Sequence, residues 1–297
     1  MQDFRMETFL TVCRFMNYTR ASETLHITQP AVSQHIHIIE EHYATKLFRY
    51  EGKKLFLTEA GILLYNAATT MKHDEIFLSE QLKTGGSLKL IFGATLTIGD
   101  FVLPEKLVHY LMQEQDAGVR MLVDNTETLL KKINTGELDF AVVEGFFHKA
   151  EYDYKIYSRQ RFIAVCGGSY AFAQKPLSVG DLFGECLILR EQGSGTREIL
   201  ERHMEKNNCS VLDFRKIIEI GSISAIKTLV SAGCGITFLY EAAVKRELES
   251  GILRRISLID FDVYNNFTMV WRKGSIFDDR YFKIFDEFLL MNSDGPI

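Results

Sequence analysis

Apolar residues recur at helical spacing through the first part of the chain. Beyond Leu88 the pattern changes to short apolar runs alternating with helical segments. In the first part the spacing predicts helices over 3–16, 19–25 and 29–43. The first takes its apolar positions from Phe4, Phe9, Leu10, Val12 and Cys13, and Ala21 and Leu25 of the second are expected to pack between its neighbours. In the third, Val32, Ile36, Ile39 and Tyr43 fall on one side and are expected to face a core. Pro30, Gln34 and His37 point the other way, with Gln29 and Ser33 at the flank. Thr28 is placed to cap this helix, and Pro30 suits its first turn, where a missing N–H costs nothing. Residues 47–58, LFRYEGKKLFLT, alternate as a two-stranded hairpin with Glu51–Gly52–Lys53–Lys54 at its tip. A polar helix face presented by a small trihelical domain, with a lysine-tipped wing beside it, is a shape that a DNA major groove accepts.

Residues 58–83 contain no proline and read as one long helix capped by Thr58. Ile62, Leu63, Tyr65, Ala68, Met71, Ile76, Phe77, Leu78 and Leu82 give it more apolar surface than an isolated rod tolerates, so a partner helix and hence a dimer are expected, the alternative being that it lies on its own C-terminal domain. Gly85–Gly86 marks a hinge. From there the pattern predicts strands at 87–94, 119–124 and 138–143, with helices at 98–112 and 126–135 between them. A second set follows: strands at 162–167, 185–190, 214–220, 236–240, 252–258 and 265–273, helices at 195–206 and 222–232, and a last helix at 279–291. About ten strands in βαβ order predict parallel pairing and two α/β lobes, the chain crossing between them near 160–165 and returning near 263–268. The expected domains are 1–58, 59–86 and 87–297. Within the last, lobe one takes 87–162 and 267–297, and lobe two takes 163–266.

Composition narrows the class without deciding it. Hydrophobic content of 46% and charged content of 25% describe an ordinary globular chain, and its 297 residues allow two or more domains. No apolar run is long enough to span a membrane and no secretory pattern opens the chain, so a cytoplasmic location is expected. Cys13, Cys166, Cys186, Cys209 and Cys234 form no CxxC pair or zinc spacing and read as free core thiols, with a redox role for Cys166 or Cys234 as the alternative. The net charge of −5 disfavours nucleic acid, and residues 1–57 are about neutral. Affinity for DNA would then come from helix N-termini, hydroxyls and two copies of the module rather than from a basic surface.

In open α/β sheets, ligands collect where strand ends meet helix N-termini. Four such junctions here carry small polar residues: 93–97, Glu144–Gly145, EQGSGTR at 191–197, and 221–224. Thr95, Thr97, Glu144, Ser194, Thr196 and Ser222 are therefore candidates to line a site for a small anionic or polar metabolite. Each also has a plainer role, since a Ser or Thr before a helix is commonly just its cap. Arg197 suits a ligand carboxylate and equally an ion pair with Glu191, Glu198 or Glu201. The GSG at 193–195 is neither a P-loop nor a dinucleotide fingerprint. Asp100, Asp139 and Glu144 have no histidine partner in the pattern, and no GxSxG or HExxH occurs. No catalytic residue, metal ligand or cofactor is assigned.

Phe9, Thr19, Ala21, Leu25, TQPAVSQHI (28–36), Glu40, Leu47, Phe48, TEAG (58–61), Gly93, LP (103–104), GELD (136–139), EQGSGTR and SAGCGITFL (231–239) together resemble the LysR-type transcriptional regulators over essentially the whole chain. The GSGTR run is similar to the subgroup containing regulators of sulfur assimilation. The resemblance implies a winged helix-turn-helix, a long linker helix and a two-lobed effector domain like that of periplasmic solute-binding proteins. It implies a dimer or tetramer on double-stranded promoter DNA, a small-molecule inducer between the lobes, and contact with RNA polymerase. By similarity Gln29, Pro30, Ala31, Ser33 and Gln34 would meet DNA with Lys53 of the wing, and His37, Arg49 and Lys54 lie on the same surface. Thr95, Thr97, Glu144, Ser194, Thr196 and Ser222 would surround the inducer. Three positions depart from the family pattern: Ser22 for an alanine, Ala44 for the glycine after the recognition helix, and Tyr50 for an arginine, with Arg49 one place earlier. The rival reading is a cytosolic solute-binding protein without sequence-specific DNA recognition.

Overall fold

A computed structural model describes residues 3–83, 89–114 and 118–289. The expected Gly85–Gly86 hinge, the start of the strand at 87–88 and the end of the last helix at Met291 lie outside them. The chain divides into two compact units. One comprises Met1–Gly86, Asn134–Glu137 and Arg272–Asp278, and the other the remaining residues.

The first unit begins with α1 (Phe4–Phe15), α2 (Tyr18–Leu25) and α3 (Gln29–His42). Asp3, Asn17 and Thr28 each accept a first-turn N–H with their side chains, so all three helix starts are capped. Met16 and His26 close α1 and α2 in the left-handed conformation. Phe9, Val12, Ala21, Val32, Ile36, Ile39, Leu47, Phe48 and Leu55 form one buried cluster. Each large side chain among them is worth roughly 1.5–3 kcal/mol on full burial. Tyr43 corrects the reading of the pattern: it is 50% exposed. The helix stops at His42, so Tyr43 sits one step past the last turn that reaches the core, its ring against that of His42 at 4.8 Å. Ala44 keeps the positive φ, +50°, that a glycine would take without strain. Left-handed backbone costs a residue with a Cβ roughly 1–2 kcal/mol.

β1 (Phe48–Glu51) and β2 (Lys54–Leu57) pair antiparallel as the wing. Glu40 fixes its base: one carboxylate oxygen accepts Leu47 N–H at 2.9 Å and the other accepts Lys46 Nζ at 2.6 Å. Thr58 donates its N–H to Leu47 O and its hydroxyl to Lys46 O, then accepts Gly61 N–H as the cap of α4 (Glu59–Lys83). A Cβ on Gly61 would lie 2.1 Å from Leu47 O, so only glycine lets α4 start this close to the wing. Lys72 Nζ reaches Glu7 of α1 at 2.6 Å. Further along α4 a buried polar seam joins it to 134–137 and 272–278. Fully buried Arg272 donates to Thr70 Oγ1, Asn134 Oδ1 and Asn66 O. Asp74 accepts from Ser275 Oγ at 2.7 Å and Ile276 N at 2.9 Å. Ile62, Leu63, Met71, Leu78 and Leu82 of α4 remain exposed.

The second unit contains β3 (Lys89–Ala94), α5 (Leu96–Phe101), α6 (Leu103–Gln113), β4 (Gly118–Val123), α7 (Thr126–Asn134), β5 (Phe140–Val143), β6 (Tyr152–Gly167), β7 (Cys186–Leu189), α8 (Gly195–Lys206), β8 (Lys216–Glu219), α9 (Ile223–Ser231), β9 (Thr237–Tyr240), α10 (Glu241–Glu249), β10 (Leu253–Arg255), β11 (Val263–Arg272) and α11 (Asp278–Ile284). The main sheet runs β10-β6-β11-β5-β3-β4, with β9 also on β6, and β7 pairs with β8 apart from it. β3 is parallel to β4 and β5, and β7 to β8, as the βαβ order requires. The expectation of purely parallel pairing fails at the crossover strands. β9 and β10 run antiparallel to β6, and β11 antiparallel to β5. A chain that leaves one lobe and returns must lay down strands of opposite sense.

Three further readings are corrected. The helix expected at 98–112 is two, α5 and α6, interrupted at Val102. Pro104 has no N–H for the carbonyl four residues back, so it opens a new first turn instead. The strand expected at 162–167 begins ten residues earlier, because 153–161 form a half-exposed stretch between buried Tyr152 and the continuous buried run of 162–167. No helix was expected at 241–249, where α10 lies, whereas the nine strands β3–β11 fall on the nine expected segments. Each lobe has its own core. One gathers around Leu129, Ile133, Ala141, Val143 and Val270, and the other around Ile188, Ile226, Val230, Leu239 and Val244.

Candidate functional site

Two surfaces carry the sequence candidates. On α3, Gln29, Pro30, Gln34 and His37 are exposed, and Ala31 and Ser33 are half-buried, opposite the Val32–Ile36–Ile39 stripe. Gln29 Nε2 donates to Ser33 Oγ at 2.9 Å, which orders two polar groups at the helix start. His37 faces Glu41 at 3.2 Å one turn on. His35 points elsewhere, meeting Thr8 Oγ1 at 2.9 Å and the edge of Phe4. On the wing, Lys53 and Lys54 are exposed, and Arg49 pairs with Glu51 while lying over the Phe56 ring. The capped N-terminus of α3, its amides and the wing lysines offer donors to a polyanion without a large basic patch.

In the second unit, Glu144 is the centre. It leaves the end of β5 and is 2% exposed. Thr196, in the first turn of α8, donates to Glu144 Oε1 at 2.6 Å. Asn265 on β11 donates to Glu144 O and to Tyr240 Oη. The approach of α8 to β5 depends on glycine, since a Cβ on Gly195 would lie 3.1 Å from Gly145 Cα and 3.2 Å from Glu144 Cγ. Burial pushes the Glu144 carboxyl above its usual range; Thr196, Thr97 and the Arg190 charge oppose this, and Glu191 adds to it. Thr97 leans on the carboxylate, yet its Oγ1 and Glu144 Oε2 do not meet in bonding geometry and both are buried without a partner. Thr95 Oγ1 and Thr126 Oγ1 are buried and unpartnered as well.

Arg190 at the end of β7 is 3% exposed. It gives Nε and Nη2 to the two oxygens of Glu191, at 2.7 and 2.8 Å, and leaves Nη1 buried with no partner. Buried polar groups are almost always satisfied. Three hydroxyls beyond β3 and at the start of α7, one carboxylate oxygen beyond β5 and one guanidinium nitrogen beyond β7 are thus left open.

The other candidates divide. Ser194 is buried at the start of α8 but makes no side-chain cap bond. Ser222 is an exposed cap on Ala225 N, and nothing joins it to the Glu144 cluster. Thr97 is buried inside α5 and is not a cap. Arg197 is engaged by Glu201 at 2.7 Å and Glu219 at 2.6 Å. Asp139 pairs with Arg280, and Asp100 lines a separate groove of about 780 Å³ together with Pro104, Lys227 and Arg246. Among the described residues no three His, Cys, Asp or Glu side chains are grouped to hold a metal ion, and no helix is long and apolar enough to cross a membrane. Arg190, Thr126 and Asn265 escaped sequence reasoning. The first two stand at strand ends of the kind already singled out, and a charge ending the apolar run CLIL was the available signal. Asn265 gave none.

Residues 4–62 match the model of bacterial regulatory helix-turn-helix proteins of the lysR family, and residues 83–279 match the LysR substrate binding domain. The chain belongs to the LysR family of bacterial transcriptional regulators. It is a DNA-binding transcriptional regulator with an effector-binding domain, in a family of regulators rather than enzymes, and the solute-binding alternative is not favoured. It is 29% identical over 274 residues to the HTH-type transcriptional regulator CysL of Bacillus subtilis, covering 89% of this chain and 87% of that one. Full-length LysG from Corynebacterium glutamicum, solved with bound effector Arg, superposes with a TM-score of 0.62 at 16% identity over 97% of both chains. The Synechocystis CcmR regulatory domain in complex with 2-PG gives 0.60 at 19% identity over 70% of this chain and 99% of that one.

Proposed function

We propose that this regulator binds promoter DNA as a homodimer or a tetramer, and that a small polar metabolite seated around Glu144 between the two lobes controls that binding. Gln29 and Gln34 are suited to adenine edges, Ser33 to a base or phosphate, and Lys53, Lys54 and Arg49 to the backbone beside them. Pro30, Ala31 and His37 border that face. Two such helices reach successive major-groove faces when held about 34 Å apart. The exposed Ile62, Leu63, Met71, Leu78 and Leu82 supply an apolar stripe on which two copies of α4 can pair. The domains are read as 1–58 for DNA, 59–86 for pairing and 87–297 for the effector. The location is the cytoplasm, where promoter and RNA polymerase are met.

The observation that carries the effector site is the group of buried, unpartnered atoms of Thr95, Thr97, Thr126, Glu144 and Arg190. Thr196 and Ser194 border it, and Ser222 stands farther out. Filling the site changes the angle between the lobes, and the change is passed to the DNA-binding modules through the pairing helices. Footprints of the full-length protein on its own promoter test this. The protected length or the bend should differ once the metabolite is added, and identical footprints in both states refute it.

A further inference from the structure

The fold by itself does not select the charge of the effector, since LysG holds arginine and the CcmR domain holds 2-PG on similar backbones. The lining residues must do so. Around the cleft stand two carboxylates, Glu144 and Glu191, against one guanidinium, Arg190. Both Glu191 oxygens are already taken by Arg190, in a bidentate pair that neutralises both groups. Glu144 is the carboxyl left without a cation in contact. Its close partners are neutral hydroxyls, Thr196 bonded to one oxygen and Thr97 leaning on the carboxylate, and its second oxygen is buried with no hydrogen bond of good geometry. A bare anion placed here would face that carboxylate at short range in a medium of low polarity, where like charges repel most strongly.

Resting on the reading of this cleft as the effector site, we infer that the effector carries a protonated amino group that donates to Glu144 Oε2, and an oxygen acceptor, such as a carboxylate, that takes Arg190 Nη1. It is an amino-acid-like zwitterion rather than an inorganic oxyanion or a dicarboxylate. The ammonium supplies the charge that the carboxylate lacks, and the acceptor satisfies the one open nitrogen of Arg190. The threonine hydroxyls, able to donate or accept, serve either end. The sequence expectation of an anionic or polar metabolite is thereby narrowed to its polar, amine-bearing part.

The test is thermal unfolding of purified full-length protein with each of the twenty L-amino acids, and with sulfate, phosphate and succinate, all at equal concentration. At a hundredfold excess over Kd, a ligand of the native state should raise Tm by roughly 5–10 °C. The expected result is a rise with one or a few amino acids and none with the three anions. Glu144→Gln should weaken the amino acid that responds by roughly 10–100-fold, since a charge-assisted bond becomes a neutral one. It should also melt no lower than wild type without ligand, because an uncompensated buried charge is gone. If E144Q does not fold, the wild-type panel decides by charge class alone. Stabilisation by sulfate, phosphate or succinate overturns the inference while leaving the cleft as effector site. Silence from every probe overturns the inference and counts against the cleft as well.

Discussion

Glu40 links the DNA-reading helix to the wing, and its two bonds can be separated. Its side chain is 10% exposed, whereas that of Lys46 is 72% exposed. The exposed ion pair should contribute at most about 1 kcal/mol. The bond to Leu47 is of another kind, because Leu47 is 1% exposed and its N–H has no access to water once the acceptor is removed. Leaving a buried donor unsatisfied costs about 1–3 kcal/mol. Glu40→Ala should therefore destabilise the wing by ~1–3 kcal/mol, and Lys46→Ala by ~1 kcal/mol or less. Glu40→Gln keeps one acceptor oxygen and should fall between them. Hydrogen exchange of full-length protein, followed by mass spectrometry on a peptide spanning 47–58, reads the bond directly. E40A should raise exchange there by roughly 5–150-fold, the equivalent of that free energy. The reasoning is refuted if K46A matches E40A, for then the ion pair holds the wing, or if E40A leaves exchange unchanged.

Four further outcomes are expected. Gln34→Ala should lose ~1–3 kcal/mol of binding to promoter DNA and little to random duplex, read by competition titration. Lys53→Ala should weaken all duplexes alike and reduce the slope of log affinity against log salt by about one. Thr97→Val removes a buried hydroxyl that leans on Glu144 without a hydrogen bond of good geometry, so its melting temperature should stay near wild type while its effector affinity falls ~0.5–1.5 kcal/mol in calorimetry. Burial alone would raise the carboxyl pKa of Asp74, but bonds from His73, Ser275 and Ile276 N–H outweigh it and hold the group below 3.8. The folded state thus binds fewer protons than the unfolded one, so this stabilisation is complete above pH 3.8 and is lost as pH falls through the depressed value. Acid unfolding profiles of Asp74→Asn should be flatter than wild type in that range.

Local signals reached far into this chain where a residue's environment is set by its neighbours in sequence. The stripe Val32–Ile36–Ile39, the cap Thr28, the lysine tip of the wing and the βαβ order all depend on spacing of a few residues. Tyr43 was misplaced because spacing does not say where a helix stops. The stop is made by Tyr43 and Ala44 closing back on α3, Ala44 N–H donating to Glu41 O. The first ten residues of β6, YDYKIYSRQR, were missed because beyond Tyr152 they are half-exposed on both faces and lack the continuous apolar run of Phe162–Gly167. α10, with its sequence EAAVKRELE, follows β9 directly, without a turn residue to announce it. The buried hydroxyls of the proposed cleft, Thr95, Thr97 and Thr196, stood out in the sequence because each lies near a strand end. It was illegible at Asn265, which meets Glu144 across 121 positions of sequence.

That long-range contact bears on how the effector domain can respond at all. Glu144 joins lobe one to the Thr196 side chain of lobe two and to Asn265 of the returning strand, through neutral donors. Each such bond is worth about 0.5–1.5 kcal/mol net. Burying the Glu144 carboxylate works against them, as the rise in its pKa records. The closed arrangement without ligand is thus held by small terms that partly cancel, and a few kcal/mol suffice to bias it. A ligand can shift such an equilibrium only by its difference in affinity between the two arrangements. The inferred ammonium at Glu144 would meet that condition, because it would remove the desolvation cost only where Thr196 and the carboxylate come together. A ligand bound wholly by one lobe would bind as tightly in either arrangement and shift nothing.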